Sequence, residues 1–189
     1  MLFRSNWPAE LQAPGHVVCR GTGETRLWSL DGVAHAWIGQ VIHALNAARL
    51  NCNADPAVEV SIWEKVAFNA AMNSIAAVSR LPVGALADSA NGRTLAAAVV
   101  KEVAAVAHAR GIAVDPARIS HSVEFAFANH REHRPSMLQD LLAGRATEIE
   151  AINGAVVEAA RPYNVDVSTT KTLAHLVRLI ESAIGIGRK

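Results

Sequence analysis

From residue 58 almost to the end of the chain, apolar positions recur at helical spacing, and polar clusters mark where each helix starts and stops. The stretch "VEVSIWEKVAFNAAMNSIAAV" predicts one long helix over 58–78, apolar almost all the way round and ended by Arg80-Leu81-Pro82-Val83-Gly84. "GRTLAAAVVKEVAAVAHAR" predicts a second, closed by Gly111 in the place of a C-terminal glycine cap. Asp115-Pro116 starts a third, because aspartate caps and proline suits the first turn. Ser136-Met137-Leu138-Gln139 and Thr147-Glu148-Ile149-Glu150 both have the spacing of a capping box. They predict two further starts, with Gly144 in the break between them. Ser168 opens a last helix through "KTLAHLVRLIESA". Residues 58–189 thus read as a bundle of about six helices.

Residues 1–57 carry another pattern. "VVCRGTGETRLWSL", 17–30, reads as two short strands around a glycine-containing turn, Asp31-Gly32 as a second turn, and "VAHAWIGQVIHALNAAR" as a helix. The polar, proline-containing "LNCNADPAVEV" reads as a connector, with a boundary near residue 57. The expected fold class is therefore mainly α: a C-terminal helical bundle preceded by a small α/β unit of two strands and a helix.

Composition narrows the partners. With 51% hydrophobic and 19% charged residues the chain can bury a core. A net charge of +1, with no block of like charges, gives no electrostatic case for nucleic acid or an acidic membrane surface. Apolar runs such as "LAAAVV" fall short of the ~20 residues that span a bilayer, and "MLFRSNWPAELQAPG" lacks the apolar stretch of a secretion signal. Cys19 and Cys52 share no metal-type spacing and read as unpaired thiols of a cytoplasmic protein. His130 and His133 lack a nearby third ligand and precede Pro135, so they read as surface loop rather than a metal site.

Lys65, Asn69 and Asn73 stand at steps of four, which places them on one face of the long helix. Two readings stay open on the residues alone. The stripe is either the solvated edge of an amphipathic helix or a docking line for a small ligand rich in oxygens. A solvated edge normally carries more charge, and asparagine is a poor helix former. A partly buried lysine is easier to deprotonate, which suits acid–base chemistry.

"LWSLDG", "WEKVAFNAAMNSIAAV" with "LPVG", "SMLQDLLAGRATEIEAING" and "YNVDVSTTKTL" occur in an order that resembles the ketopantoate reductases (2-dehydropantoate 2-reductases). The resemblance covers residues 58–185 and extends weakly back to about residue 14. It implies an NADPH-dependent enzyme with an N-terminal Rossmann domain, of which residues 1–57 would be the C-terminal end, and a helical domain for substrate and catalysis. It implies Lys65 as the catalytic acid that protonates the ketone oxygen as hydride reaches the carbon. It likewise implies Asn69, Asn73 and Ser136 as substrate-binding residues and Glu148 as an active-site acid, and assigns no cofactor-binding residue. The reaction implied is reduction of a small-molecule 2-oxo acid, ketopantoate to pantoate, on the route to pantothenate and coenzyme A. Ser136 also has a structural reading, as a helix cap. Glu150 fills the reciprocal slot of the Thr147 box, which leaves Glu148 for chemistry. Asn153 and Gly154 belong to the motif, with close helix packing as their structural reading.

The departure from that family lies at the front. A Rossmann domain opens on G-x-G-x-x-G, whose glycines let a pyrophosphate approach a helix N-terminus. Gly21-Thr22-Gly23-Glu24-Thr25-Arg26 has arginine where the third glycine is needed, and no βαβ unit is expected around it. The chain is therefore expected to be a truncated reductase that binds NADPH weakly or not at all by itself. A second class of function follows: a non-catalytic helical module that binds a carboxylate and forms a homodimer through its alanine-rich helices.

Overall fold

The computed structural model describes residues 1–185 except Pro8 and Arg20, with side chains for all of these but Glu10 and Leu11. Arg20, inside the expected glycine turn, and residues 186–189 of the expected bundle lie outside the described residues. Two units are present, Met1–Ile62 and Trp63 onward, and the division falls inside a helix.

The first unit contains β1 (Leu2–Ser5), β2 (Ala9–Ala13), β3 (His16–Cys19), β4 (Thr25–Trp28), α1 (Ala36–Ala47) and β5 (Cys52–Ala54). β2 and β3 form a hairpin with Ala9 opposite Cys19. A separate sheet has the order β1-β4-β5, with β1 antiparallel and β5 parallel to β4. The two strands expected within 17–30 both form, but in different sheets, and β1, β2 and β5 add to them. β5 escapes sequence reading because its three residues owe their place to tertiary contacts. Asn46 accepts from the Cys52 N–H at 2.6 Å and donates to its carbonyl at 2.9 Å, as a neighbouring strand would. β4 alternates, and its fully buried Leu27 packs with Ile38 and Cys52 into a small core. β4-α1-β5 is a βαβ unit, which corrects the expectation that none lies near Gly21–Arg26. Gly21 and Gly23 precede its first strand, whereas a phosphate-binding turn follows one.

The helical part comprises α2 (Val58–Ser79), which crosses the division, then α3 (Val83–Asp88), α4 (Ala90–Ala109), α5 (Pro116–Asn129) and α6 (Ser136–Leu142). A π-helical turn, Glu150–Gly154, runs into α7 (Ala155–Ala160); a 3-10 turn, Arg161–Tyr163, precedes α8 (Ser168–Ala183). The mainly α class is as expected, with one helix more than anticipated. Pro82 ends one segment and, as an N-cap in extended conformation, starts α3. α2 is the central element: Ala67, Ala70, Ala71, Met72, Ala76 and Ala77 are at most 1% exposed, the alanines letting neighbours approach closely. The expected caps form at α4 and α5. Gly111 adopts φ 80° and the Ile112 N–H returns to Ala107 at 2.9 Å, while the Asp115 carboxylate accepts from the Ala117 N–H at 2.9 Å. Among the described residues no helix is long and apolar enough to cross a membrane.

Candidate functional site

α2 carries the lysine stripe along one face, and the stripe runs from solvent into the interior. Lys65 is exposed, Asn69 half-buried and Asn73 only 6% exposed. The partial burial that would ease deprotonation of Lys65 is not observed. Its neighbour Glu64 faces elsewhere, accepting from the Asp115 N–H at 3.3 Å and pairing with Arg118, so it fastens α2 to the start of α5.

At the buried end the stripe meets α6. The Asn73 Nδ2 donates to Ser136 Oγ at 3.3 Å, joining residues 63 positions apart. This contact corrects the expected capping box. Pro135 is the N-cap of α6, Ser136 is its first helical residue, and Gln139 donates instead to the Arg134 carbonyl at 2.7 Å. The hydroxyl is therefore free of capping duty and available to a long-range partner.

The loop that leads into Ser136 is held from behind by the "LPVG" segment. Val83 N–H donates to the His133 carbonyl at 3.0 Å and Gly84 N–H to the Arg131 carbonyl at 2.7 Å. A Cβ on Gly84 would lie 2.9 Å from Arg131 Cβ and 3.0 Å from its carbonyl oxygen, closer than such atoms pack. Gly84→Ala is expected to push this loop outward and cost about 1–2 kcal/mol, read as a lower midpoint in thermal denaturation. His133 is driven below its ordinary value by burial and by nearby His130.

Glu148 is exposed, on the turn just ahead of the π-helical turn, and makes no ion pair among the described residues. Its flanks are firmly held. The Thr147 N–H donates to Glu181 at 2.7 Å, and Glu150 forms two hydrogen bonds with Arg178, at 2.6 and 2.7 Å. The expected Thr147–Glu150 box is thus corrected as well. Thr147 Oγ1 accepts from Ile149 N–H at 3.2 Å, and Glu150 serves α8. The Arg178 hydrogen bond, reinforced by its charge, holds the Glu150 carboxyl below the usual carboxylate range.

Two further contributors emerge, Asn153, which sequence reading placed in a motif with a packing role, and Glu102, which it did not single out. Asn153, wholly buried, donates to the Ala70 carbonyl of α2 at 3.2 Å, where Ser74 Oγ also donates at 2.6 Å. Glu102 of α4 accepts from Thr169 N–H, Thr170 N–H and Thr170 Oγ1 at 2.9, 2.8 and 2.7 Å. That cap explains the "STTKT" part of the last motif without any ligand. For Asn153 the motif gave the position, but the bond to Ala70 was not legible in it.

The structure brings together Asn73 and Ser136, and through Asn153 it ties the segment carrying Glu148 to the helix carrying Lys65 and Asn69. An ammonium, two carboxamides and a hydroxyl all donate hydrogen bonds, which suits ligand oxygens, both carboxylate and ketone.

Residues 57–181 match the family described as ketopantoate reductase PanE/ApbA, C-terminal. The chain is similar to the 2-dehydropantoate 2-reductase of Archaeoglobus fulgidus, with 34% identity over 180 residues, 95% of this chain and 60% of that protein. It is similar also to that of Halobacterium salinarum, with 33% identity over 168 residues, 89% of this chain and 55% of that protein. Among solved structures it resembles a D-mandelate dehydrogenase determined with NADH and anilino(oxo)acetate, with a TM-score of 0.87, 28% identity, and coverage of 97% of this chain and 61% of that one. The chain spans 55 to 60% of the length of the two reductases it matches.

Proposed function

This chain belongs to the ketopantoate reductase family, and from that premise we propose that it supplies the substrate-binding and proton-donating part of a cytoplasmic, NADPH-dependent 2-oxo acid reductase. Ketopantoate is the favoured substrate. The observation that carries this reading is the Asn73–Ser136 contact, which unites two separate motifs at one end of the lysine stripe. On this reading the Asn69 and Asn73 amides and the Ser136 hydroxyl hold the acid's oxygens. Lys65 gives its proton to the ketone oxygen as charge builds there. Glu148 faces the substrate from the neighbouring turn. NADPH, when bound, supplies the hydride. The similarity to a dehydrogenase determined with an oxoacetate supports a 2-oxo acid in general, the side chain being a matter of pocket fit.

The same donors also suit a second reading, a carboxylate-binding helical module without turnover. Calorimetric titration of ketopantoate into the chain tests what the readings share. Asn69→Ala and Ser136→Ala are each expected to weaken binding by about 10-fold or more, the loss of one hydrogen bond to a charged ligand. Unchanged affinity in both variants overturns the site. NADPH oxidation in the presence of ketopantoate separates enzyme from module.

A further inference from the structure

Asn153 is difficult to explain as a stability residue. Its side chain is wholly buried, yet its Oδ1 has no hydrogen-bond partner among the described residues. An unmade bond at a buried acceptor costs more than one neutral hydrogen bond returns. Nor does its partner need it, because the Ala70 carbonyl already receives the Ser74 hydroxyl and, in an unbroken helix, the Ser74 N–H. An apolar side chain of the same size would fill the site at no net loss.

What the amide does provide is a fixed distance between two elements. Its Nδ2 lands on the carbonyl of Ala70, the residue that follows Asn69 and lies within one turn of Asn73. The other end of the link is a π-helical turn, a form concentrated at functional positions, which begins two residues after Glu148. Among the described residues, the other side-chain ties of this segment to a neighbouring helix, Thr147 to Glu181 and Glu150 to Arg178, lead to α8, and Asn153 references it to α2. Asn73→Ser136 and Asn153→Ala70 thus act as a pair, one asparagine reaching out from the stripe helix and one reaching in.

We infer that Asn153 is a positioning residue, which sets the Glu148 carboxylate against Lys65 and Asn69 through the Ala70 carbonyl; this rests on the substrate site proposed above. Asn153→Leu removes the link and the orphaned oxygen together. Its melting temperature is expected to stay within about 3 °C of wild type, while calorimetry shows ketopantoate affinity falling about 10-fold. The decisive readout is a double-mutant cycle with Glu148→Gln. If Asn153 acts through Glu148, its substitution changes affinity by less than about 2-fold once Glu148 is altered. A full-sized effect in that background means general loosening and overturns the inference. Wild-type affinity in Asn153→Leu or in Glu148→Gln also overturns it. If the leucine variant fails to fold by circular dichroism, Asn153→Ser, too short to reach Ala70, replaces it with the same outcomes. Absence of ketopantoate binding by the wild-type chain instead removes the substrate reading itself, and the inference with it.

Discussion

Lys65→Ala is expected to lower the rate of ketopantoate-dependent NADPH oxidation by about 10²- to 10⁴-fold, the range for a positioned proton donor. Most of the loss should appear in kcat rather than KM, because the proton moves only as hydride arrives and the oxygen gains charge. Lys65→Arg sharpens the test. Arginine keeps the positive charge but does not release a proton. A variant that restores affinity without turnover therefore identifies Lys65 as a proton source rather than a charge alone. Thermal denaturation of both variants separates lost activity from lost folding. Full turnover in Lys65→Ala would remove the catalytic assignment. No turnover in wild type or variant, with ketopantoate still bound, would favour the binding module.

The largest stability effect is expected far from the stripe, at Glu102. Its carboxylate receives two backbone N–H groups and a hydroxyl at the start of α8, and Thr170, which supplies two of the three donors, is 0% exposed. The carboxylate also complements the positive end of that helix. Glu102→Ala leaves those donors unmet in a site that water cannot enter at Thr170. The expected loss is about 3 kcal/mol, or about 10 °C in melting temperature for a unit of this size. Glu102→Gln retains one acceptor and should lose about half as much. Chemical denaturation would decide the matter, and an alanine variant within about 0.5 kcal/mol of wild type would show that α8 is held by its apolar face alone.

The parts of this fold that were legible in sequence are those written in local chemistry. α2 was expected over 58–78 and runs Val58–Ser79, because its apolar run has a proline-containing stop. The start of α5 was given by Asp115-Pro116 and the end of α4 by Gly111, all three acting within a few residues of themselves. Elements fixed from a distance were not legible. β5 depends on Asn46 and on pairing with β4, and α3 is a short helix that begins where another signal says stop. Both capping boxes failed for one reason. Ser136 and Glu150 have the right spacing for local bonds, but Asn73 and Arg178 offer partners that no spacing rule encodes. At the candidate site, sequence named the residues and structure supplied their pairing. Asn73 with Ser136 could be read as two motifs but not as one contact, and Asn153 could be read as a motif position but not as a buried amide whose Oδ1 lacks a partner among the described residues.

The direction of the Asn73–Ser136 bond has a further consequence. Since the amide supplies the hydrogen, the serine oxygen accepts with one of its two lone pairs, and its own O–H stays available to whatever lies outside. The exposed hydroxyl can therefore donate outward without giving up the link that ties it to α2. Internal cohesion and outward reach thus coexist in one oxygen atom.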